Sequence, residues 1–417
     1  MIAKSPQSGK GQVFTILFGL FVVMMGYGVL LPVLPFFVER LATNPGTDPQ
    51  AINYHIGALT AVYPMFQLVF SVIWGRLSDR AGRRSFIIMG LLGFILMQVL
   101  IGLATSLSMF YLARITGGIL TAALIPVSNA YLSDITTKAN RSKLMAWSGT
   151  AVSLGIIVGP VAGGYLAKTD FHLSIKASIF HLDRFSIPFF ALVLPAIVAV
   201  LLVLKNLDNK PAGSTFKLPV GLVAPSRSIS YPLFVLLLMT LIYQFSVTSF
   251  ETVFSLYAKN DLSFSAYQIG VGFMLCGLFM AVFQPVFTSL DPKWISESGK
   301  LLFGFFVAAV SLLVFPFVDG KTMVYGLIVF FAVGGALIAP QLTALISLKD
   351  ETNTAKNLSY QSSVNSMGQV LGPMIGTWLA GKQVFAPFVL GGSLLIVPAM
   401  AILWHSWRKK KSAIPLS

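Results

Sequence analysis

Residues 153–167 read Ser153-Leu-Gly-Ile-Ile-Val-Gly-Pro-Val-Ala-Gly-Gly-Tyr-Leu-Ala167, and residues 366–380 read Ser366-Met-Gly-Gln-Val-Leu-Gly-Pro-Met-Ile-Gly-Thr-Trp-Leu-Ala380. The two stretches align without gaps, with seven of fifteen positions identical at an offset of 213. Weaker echoes flank them: Gly117-Gly118 and Gly334-Gly335 are offset by 217, and Asp134 and Asp350 by 216. Each stretch lies in an apolar segment, so the repeat relates one membrane span to another. An internal parallel repeat of this kind is a plan of secondary transporters, whose substrate sits at the interface of the two halves.

Composition agrees. Of 417 residues, 56% are hydrophobic and 10% charged; soluble domains carry about 25% charged residues, so that class is excluded. A membrane helix needs about 20 apolar residues, and the chain has room for about twelve. They fall at roughly 14–38, 55–74, 85–103, 108–133, 143–167, 186–204, 231–258, 265–290, 299–318, 322–348, 356–381 and 384–407. The fold expected is all-α integral membrane: twelve transmembrane helices in two six-helix halves, 1–204 and 231–417, joined by a cytoplasmic linker at 205–230 rich in Lys, Pro, Gly and Ser. A second hydrophilic stretch, 168–185, predicts an outer loop or a short surface helix. The first apolar run follows Lys4 and Lys10 like a signal sequence, but it continues without a small-residue cleavage site and predicts a retained span.

The net charge of +15 does not indicate nucleic-acid binding, because the bases lie between apolar runs. With the N-terminus placed inside, 21 of 29 Lys and Arg are cytoplasmic, seven are outside and Arg114 alone is within a span. That bias predicts a multi-pass protein of the cytoplasmic membrane with both termini in the cytoplasm. The single cysteine, Cys276, lies in an apolar run, so neither disulfides nor a thiolate metal site is expected, and it reads as a small buried hydrophobe.

Between the second and third spans stands Gly75-Arg-Leu-Ser-Asp-Arg-Ala-Gly-Arg-Arg84. Gly75 and Gly82 permit close packing and a tight turn, while Arg80, Arg83 and Arg84 anchor the loop inside. At every defining position this resembles the cytoplasmic loop motif of the major facilitator superfamily. The resemblance implies a conformational gate in which Asp79, the one acid of the loop, docks on the N-terminal end of span eleven; Asp134 is grouped with it. Gly155, Gly159, Pro160, Gly163 and Gly164 resemble the antiporter motif of the drug:proton branch, their glycines offering a smooth packing face and the proline bending the span. Gly26 to Pro35 resembles that branch's first-span pattern, and Leu112 to Gly118 its intramembrane-arginine motif. Ser249 to Tyr257 is similar to a segment of the quinolone and multidrug exporters of Gram-positive bacteria. Those exporters can carry a second carboxylate in span ten, where this chain has Gly334-Gly335-Ala336-Leu337.

Of 14 acidic residues, only Glu251 is left inside a span. An ionisable group there costs several kcal/mol to insert and is a functional candidate by default. Gln244, Thr248, Glu251 and Ser255 recur at intervals of four, three and four, which predicts one polar face. Glu251 and Arg114 are the expected proton-coupling pair of residues. The resemblance implies that spans 1, 4, 7 and 10 line the cavity. Polar residues within spans, and an aromatic beside Glu251, give the candidate substrate contacts: Tyr27, Gln67, Asn129, Phe254, Gln361 and Asn365, with Glu251 itself. No histidine lies mid-span, which disfavours a histidine relay.

The function expected is a proton-coupled antiporter exporting lipophilic, often cationic drugs by alternating access. It would need no cofactor beyond the proton gradient and would work as a monomer in the bilayer. A dedicated exporter of a metabolite, sugar or lipid is the alternative on the same fold. A membrane sensor without turnover and a membrane-embedded enzyme are the alternatives of other classes, but no nucleophile constellation supports the enzyme. No Walker-type nucleotide motif occurs, which argues against an ATP-driven pump.

Overall fold

The computed structural model describes residues 6–42, 48–136, 138–168, 176–177, 180–181, 183–208, 230–289, 295–318, 320–348 and 354–412. Most of the expected linker, 209–229, lies outside them, as does Asp350. The helices are α1 (Pro6–Leu41), α2 (Pro49–Ala81), α3 (Arg83–Gly102), α4 (Leu107–Thr121), α5 (Leu124–Asp134), α6 (Lys138–Lys168), α7 (Ile187–Asn206), α8 (Tyr231–Asn260), α9 (Ala266–Ser289), α10 (Glu297–Val314), α11 (Lys321–Leu348), α12 (Thr354–Lys382) and α13 (Ala386–Ser412). In the hydrophilic stretch before α7, Lys176–Ala177 and Phe180–His181 form a two-residue antiparallel ladder, and 169–175, 178–179 and 182 lie outside the described residues.

Eleven helical segments among the described residues have the length and apolarity to cross a membrane, with α4 and α5 counted together as one. The twelfth expected span, α12, has 29 residues and therefore the reach. Its first half is too polar for the same criterion, carrying Asn357, Ser359, Gln361, Ser362, Ser363, Asn365 and Ser366. Large side chains such as Leu194, Phe303, Phe306, Met400 and Trp404 stand exposed along these helices. A protein in water would bury such patches, whereas hydrocarbon chains solvate them.

Local sequence sets the helix ends. Asp48 caps α2 by accepting a hydrogen bond from the Gln50 amide, with Pro49 in the first turn, and Ser106 and Ser296 cap α4 and α10 in the same way. The span of α4 and α5 breaks at Ala122-Ala123. Pro126 explains the break, because it has no N–H for the carbonyl of residue 122 and its ring crowds that carbonyl.

The chain divides into two compact units. The first holds residues 1–224 and 258–274, and the second holds 225–257 and 275–417. In the first, α1 has no exposed residue between Thr15 and Val38, with Phe37 edge-on to Phe110 and Phe189 at centroid distances of 5.2 and 5.7 Å. Residues 258–274 join this unit through close approach to α6: a Cβ on Gly164 would strike the Ala266 carbonyl, and one on Gly270 the Pro160 carbonyl. Lys259 adds an ion pair to Glu39. The second unit is centred on an aromatic cluster, in which Phe250, Phe254, Tyr257, Phe315 and Phe388 meet edge-on or stacked.

Candidate functional site

The loop between α2 and α3 turns at Gly82, whose φ of 95° is a conformation glycine adopts without strain. The turn brings Arg83 inward, where it is 2% exposed. Its Nε donates to Asp134 Oδ2 at 2.5 Å, and its Nη2 pairs with Asp79 Oδ1 at 3.3 Å. Arg84 Nη2 donates to the Leu204 carbonyl at 2.7 Å, so it caps the end of α7; Gly75 is buried and Arg80 exposed. One buried guanidinium thus bridges the acid of the loop to the acid that ends α5. Removing the Asp79 charge should break this bridge on the Asp79 side. We therefore expect Asp79→Asn to lower transport while membrane levels stay normal, measured as dye efflux against immunoblot; wild-type efflux at equal expression would mean that the acid has no part in gating.

In α6, Gly155, Gly159 and Gly163 lie against the Phe21, Met25 and Val29 carbonyls of α1. In the other unit, Gly368, Gly372 and Gly376 of α12 lie against Gln244, Thr248 and Ser249 of α8. The sequence repeat is therefore also a repeat of helix packing, built on small residues that let backbones meet. Gly164 serves the other side of α6, toward Ala266, and Pro160 packs there against Gly270.

Arg114 of α4 is 2% exposed. Its Nε donates to the Leu59 carbonyl at 3.0 Å and its Nη2 to the Thr60 carbonyl at 3.4 Å, both on α2. The guanidinium carbon stands 4.5 Å from the ring centroid of Tyr63. The Tyr63 hydroxyl meets Thr121 Oγ1 at 2.7 Å and accepts from Gln67 Nε2 at 3.0 Å. Tyr27 is within electrostatic reach of Arg114. Tyr27 and Gln67 thus belong to a polar cluster around the cation. A lysine keeps the charge but lacks the planar fork whose Nε and Nη2 reach the two carbonyls here, and a charge-assisted hydrogen bond contributes about 2 kcal/mol. Arg114→Lys is expected to impair transport and lower the melting temperature, and full activity would show that charge alone suffices.

In the second unit Glu251 is half-buried near the middle of the C-terminal half of α8. Tyr243 and Cys276 lie within electrostatic reach of it. The Tyr243 hydroxyl lies where a side chain at Gly335 would begin, 2.8 Å from a Cβ placed there. Among the described residues, Glu251 is the only acid that lies inside a helix more than two residues from its end.

The polar face read from the sequence divides. Thr248 donates to the Gly368 carbonyl at 2.9 Å and Gln244 packs on the same glycine, so these two hold α12, while Ser255 donates to the Glu251 carbonyl. Phe254 is 0% exposed within the aromatic cluster, against Phe250 and Phe315. Asn129 accepts from Ser148 at 2.6 Å. Gln361 donates to Thr343 at 3.0 Å, and Asn365 is half-buried on α12.

The Major Facilitator Superfamily model matches residues 16–355 of this chain. The chain belongs to the major facilitator superfamily. Over 416 residues it is 28% identical to Multidrug resistance protein 2 of Bacillus subtilis (strain 168), covering 98% of each chain. It is 24% identical to the quinolone resistance protein NorA of Staphylococcus aureus (strain N315), covering 96% of this chain and 98% of that one. Among solved structures, a bacterial homologue of the human lysosomal transporter Spinster, inward-facing and occupied, superposes with a TM-score of 0.75 at 14% identity, over 100% of both chains. As a major facilitator protein the chain is a multi-pass transporter, not an enzyme. Three residues near the two charged centres were not singled out from the sequence, Tyr63 and Gln98 in the first unit and Tyr243 in the second, and Cys276 was read only as a small buried hydrophobe. Each stands alone in an apolar run, and what gives it meaning is a neighbour from another helix.

Proposed function

We propose that this major facilitator transporter is a proton-coupled antiporter that exports lipophilic, often cationic, small molecules across the cytoplasmic membrane. Glu251 carries the reading: a carboxylate that far inside an apolar helix is costly and must be compensated by its use. A carboxyl group can hold a proton or face a cation, but doing both at once is unfavourable. Proton and cationic cargo therefore compete for one group. Arg114 supplies the fixed positive charge in the other unit, and Tyr27, Gln67, Asn129, Gln361 and Asn365 are the proposed polar contacts to cargo. Phe254 is left out, because its ring is enclosed by other rings. The twelve spans place both termini in the cytoplasm in this reading, the proton gradient is the sole energy source, and one chain is the working unit.

The similarity to proteins named for multidrug and quinolone resistance supports the cargo class. The test is efflux of ethidium and of a fluoroquinolone from cells expressing the protein, with and without a protonophore. We expect both compounds to leave faster than from control cells, each to compete with the other, and both effects to vanish with the protonophore. Efflux that ignores the protonophore would contradict the coupling, and absence of efflux for every unrelated dye would favour a dedicated exporter.

A further inference from the structure

A small cavity lies inside the first unit. It is lined by Gly26 and Tyr27 of α1, Tyr63 of α2, Gln98 of α3 and Arg114 of α4, and closed by apolar side chains including Phe94. Gln98 is 1% exposed, and its Nε2 is a buried donor with no hydrogen-bond partner. A buried amide donor is satisfied in nearly all proteins, so an orphan at the wall of a cavity points to an occupant.

The charge of the cavity says what kind. Arg114 donates only to carbonyls and faces the Tyr63 ring, and none of the ion pairs among the described residues includes it. Guanidinium is donor-only, and the orphan atom of Gln98 is also a donor. A neutral water would satisfy the amide but leave the cation of a low-dielectric interior uncompensated. An anion answers both needs, and the enclosed space suits a monatomic ion, not the ring of a drug.

We propose that the cavity between Gln98 and Arg114 binds a small monovalent inorganic anion, with chloride as the physiological candidate. The ion accepts from Gln98 Nε2 and lies beside the guanidinium, neutralising part of its charge. Occupancy then sets how much of the Arg114 field remains. The proposal concerns binding and holds whatever the protein exports.

The test uses the purified full chain in detergent, with chloride titrated into gluconate at constant ionic strength. We expect a saturable rise in melting temperature and about one radiolabelled chloride bound per chain. Gln98→Met keeps the volume, removes the donor and leaves no unsatisfied group, so it should fold. It should raise the half-saturating chloride concentration about ten-fold or more, as loss of a hydrogen bond to a charged group does. Identical melting of the wild type in chloride and gluconate, with no bound label, overturns the proposal in favour of a water-filled cavity. An equal chloride response in wild type and Gln98→Met also overturns it, because the ion would then be held elsewhere.

Discussion

Glu251→Gln is expected to abolish protonophore-sensitive efflux of cationic dyes, down to the level of cells lacking the transporter, with the protein still present in the membrane. Glutamine keeps the shape and hydrogen-bonding capacity of glutamate and loses only the titration. Thr248 holds α8 on α12 through the Gly368 carbonyl and is unchanged in the variant, so folding should survive. Neutral ligands should still bind, since nothing in the apolar surroundings requires the charge. Equilibrium binding of a neutral and a cationic dye to the purified variant separates the two cases. Gradient-driven efflux at wild-type rate would move the proton to a carboxyl near a span end, with Asp134 the first to examine.

The second large effect is on stability. A Cβ on Gly159 would meet the Met25 carbonyl and the Cα of Gly28, which are backbone atoms of α1 and cannot rotate away. Forcing in a side chain separates the two helices along their length. Overpacking costs typically about 1–3 kcal/mol even where side chains can yield, and here the obstruction is backbone. Gly159→Val is expected to lower the melting temperature of the purified protein sharply and to deplete the membrane of folded protein. Gly149→Ala on the same helix has nothing within 4 Å of the new methyl group and should be neutral. Similar melting curves for the two variants would refute tight α1–α6 packing.

The different legibility of these features has physical reasons. Membrane spans are legible because hydrocarbon demands about 20 apolar residues whatever the neighbours are. The glycine repeat was equally plain, since backbone contact between helices admits few residue types, and the structure shows α6 on α1 and α12 on α8 using it alike. The loop motif placed Gly82 in its turn, but not the burial of Arg83, because the partner Asp134 lies on α5, outside the motif. Periodicity put Gln244 and Thr248 on a face with Glu251, but a period says which residues share a direction and not what lies there; the glycines of α12 do. Phe254 follows the same rule, being close to Glu251 in sequence and turned into a ring cluster. Gln98 and Tyr63 looked like isolated polar residues because Arg114, which explains them, is on a different helix.

Drug-driven proton movement in proteoliposomes tests the central claim most directly. The wild-type protein is reconstituted with a pH-sensitive dye inside, a pH gradient is imposed, and a cationic drug is added to one side. The account predicts that the drug dissipates the gradient faster than the lipid leak, and that Glu251→Gln vesicles show only the leak. Drug accumulation by the wild type without any accompanying proton movement would contradict it.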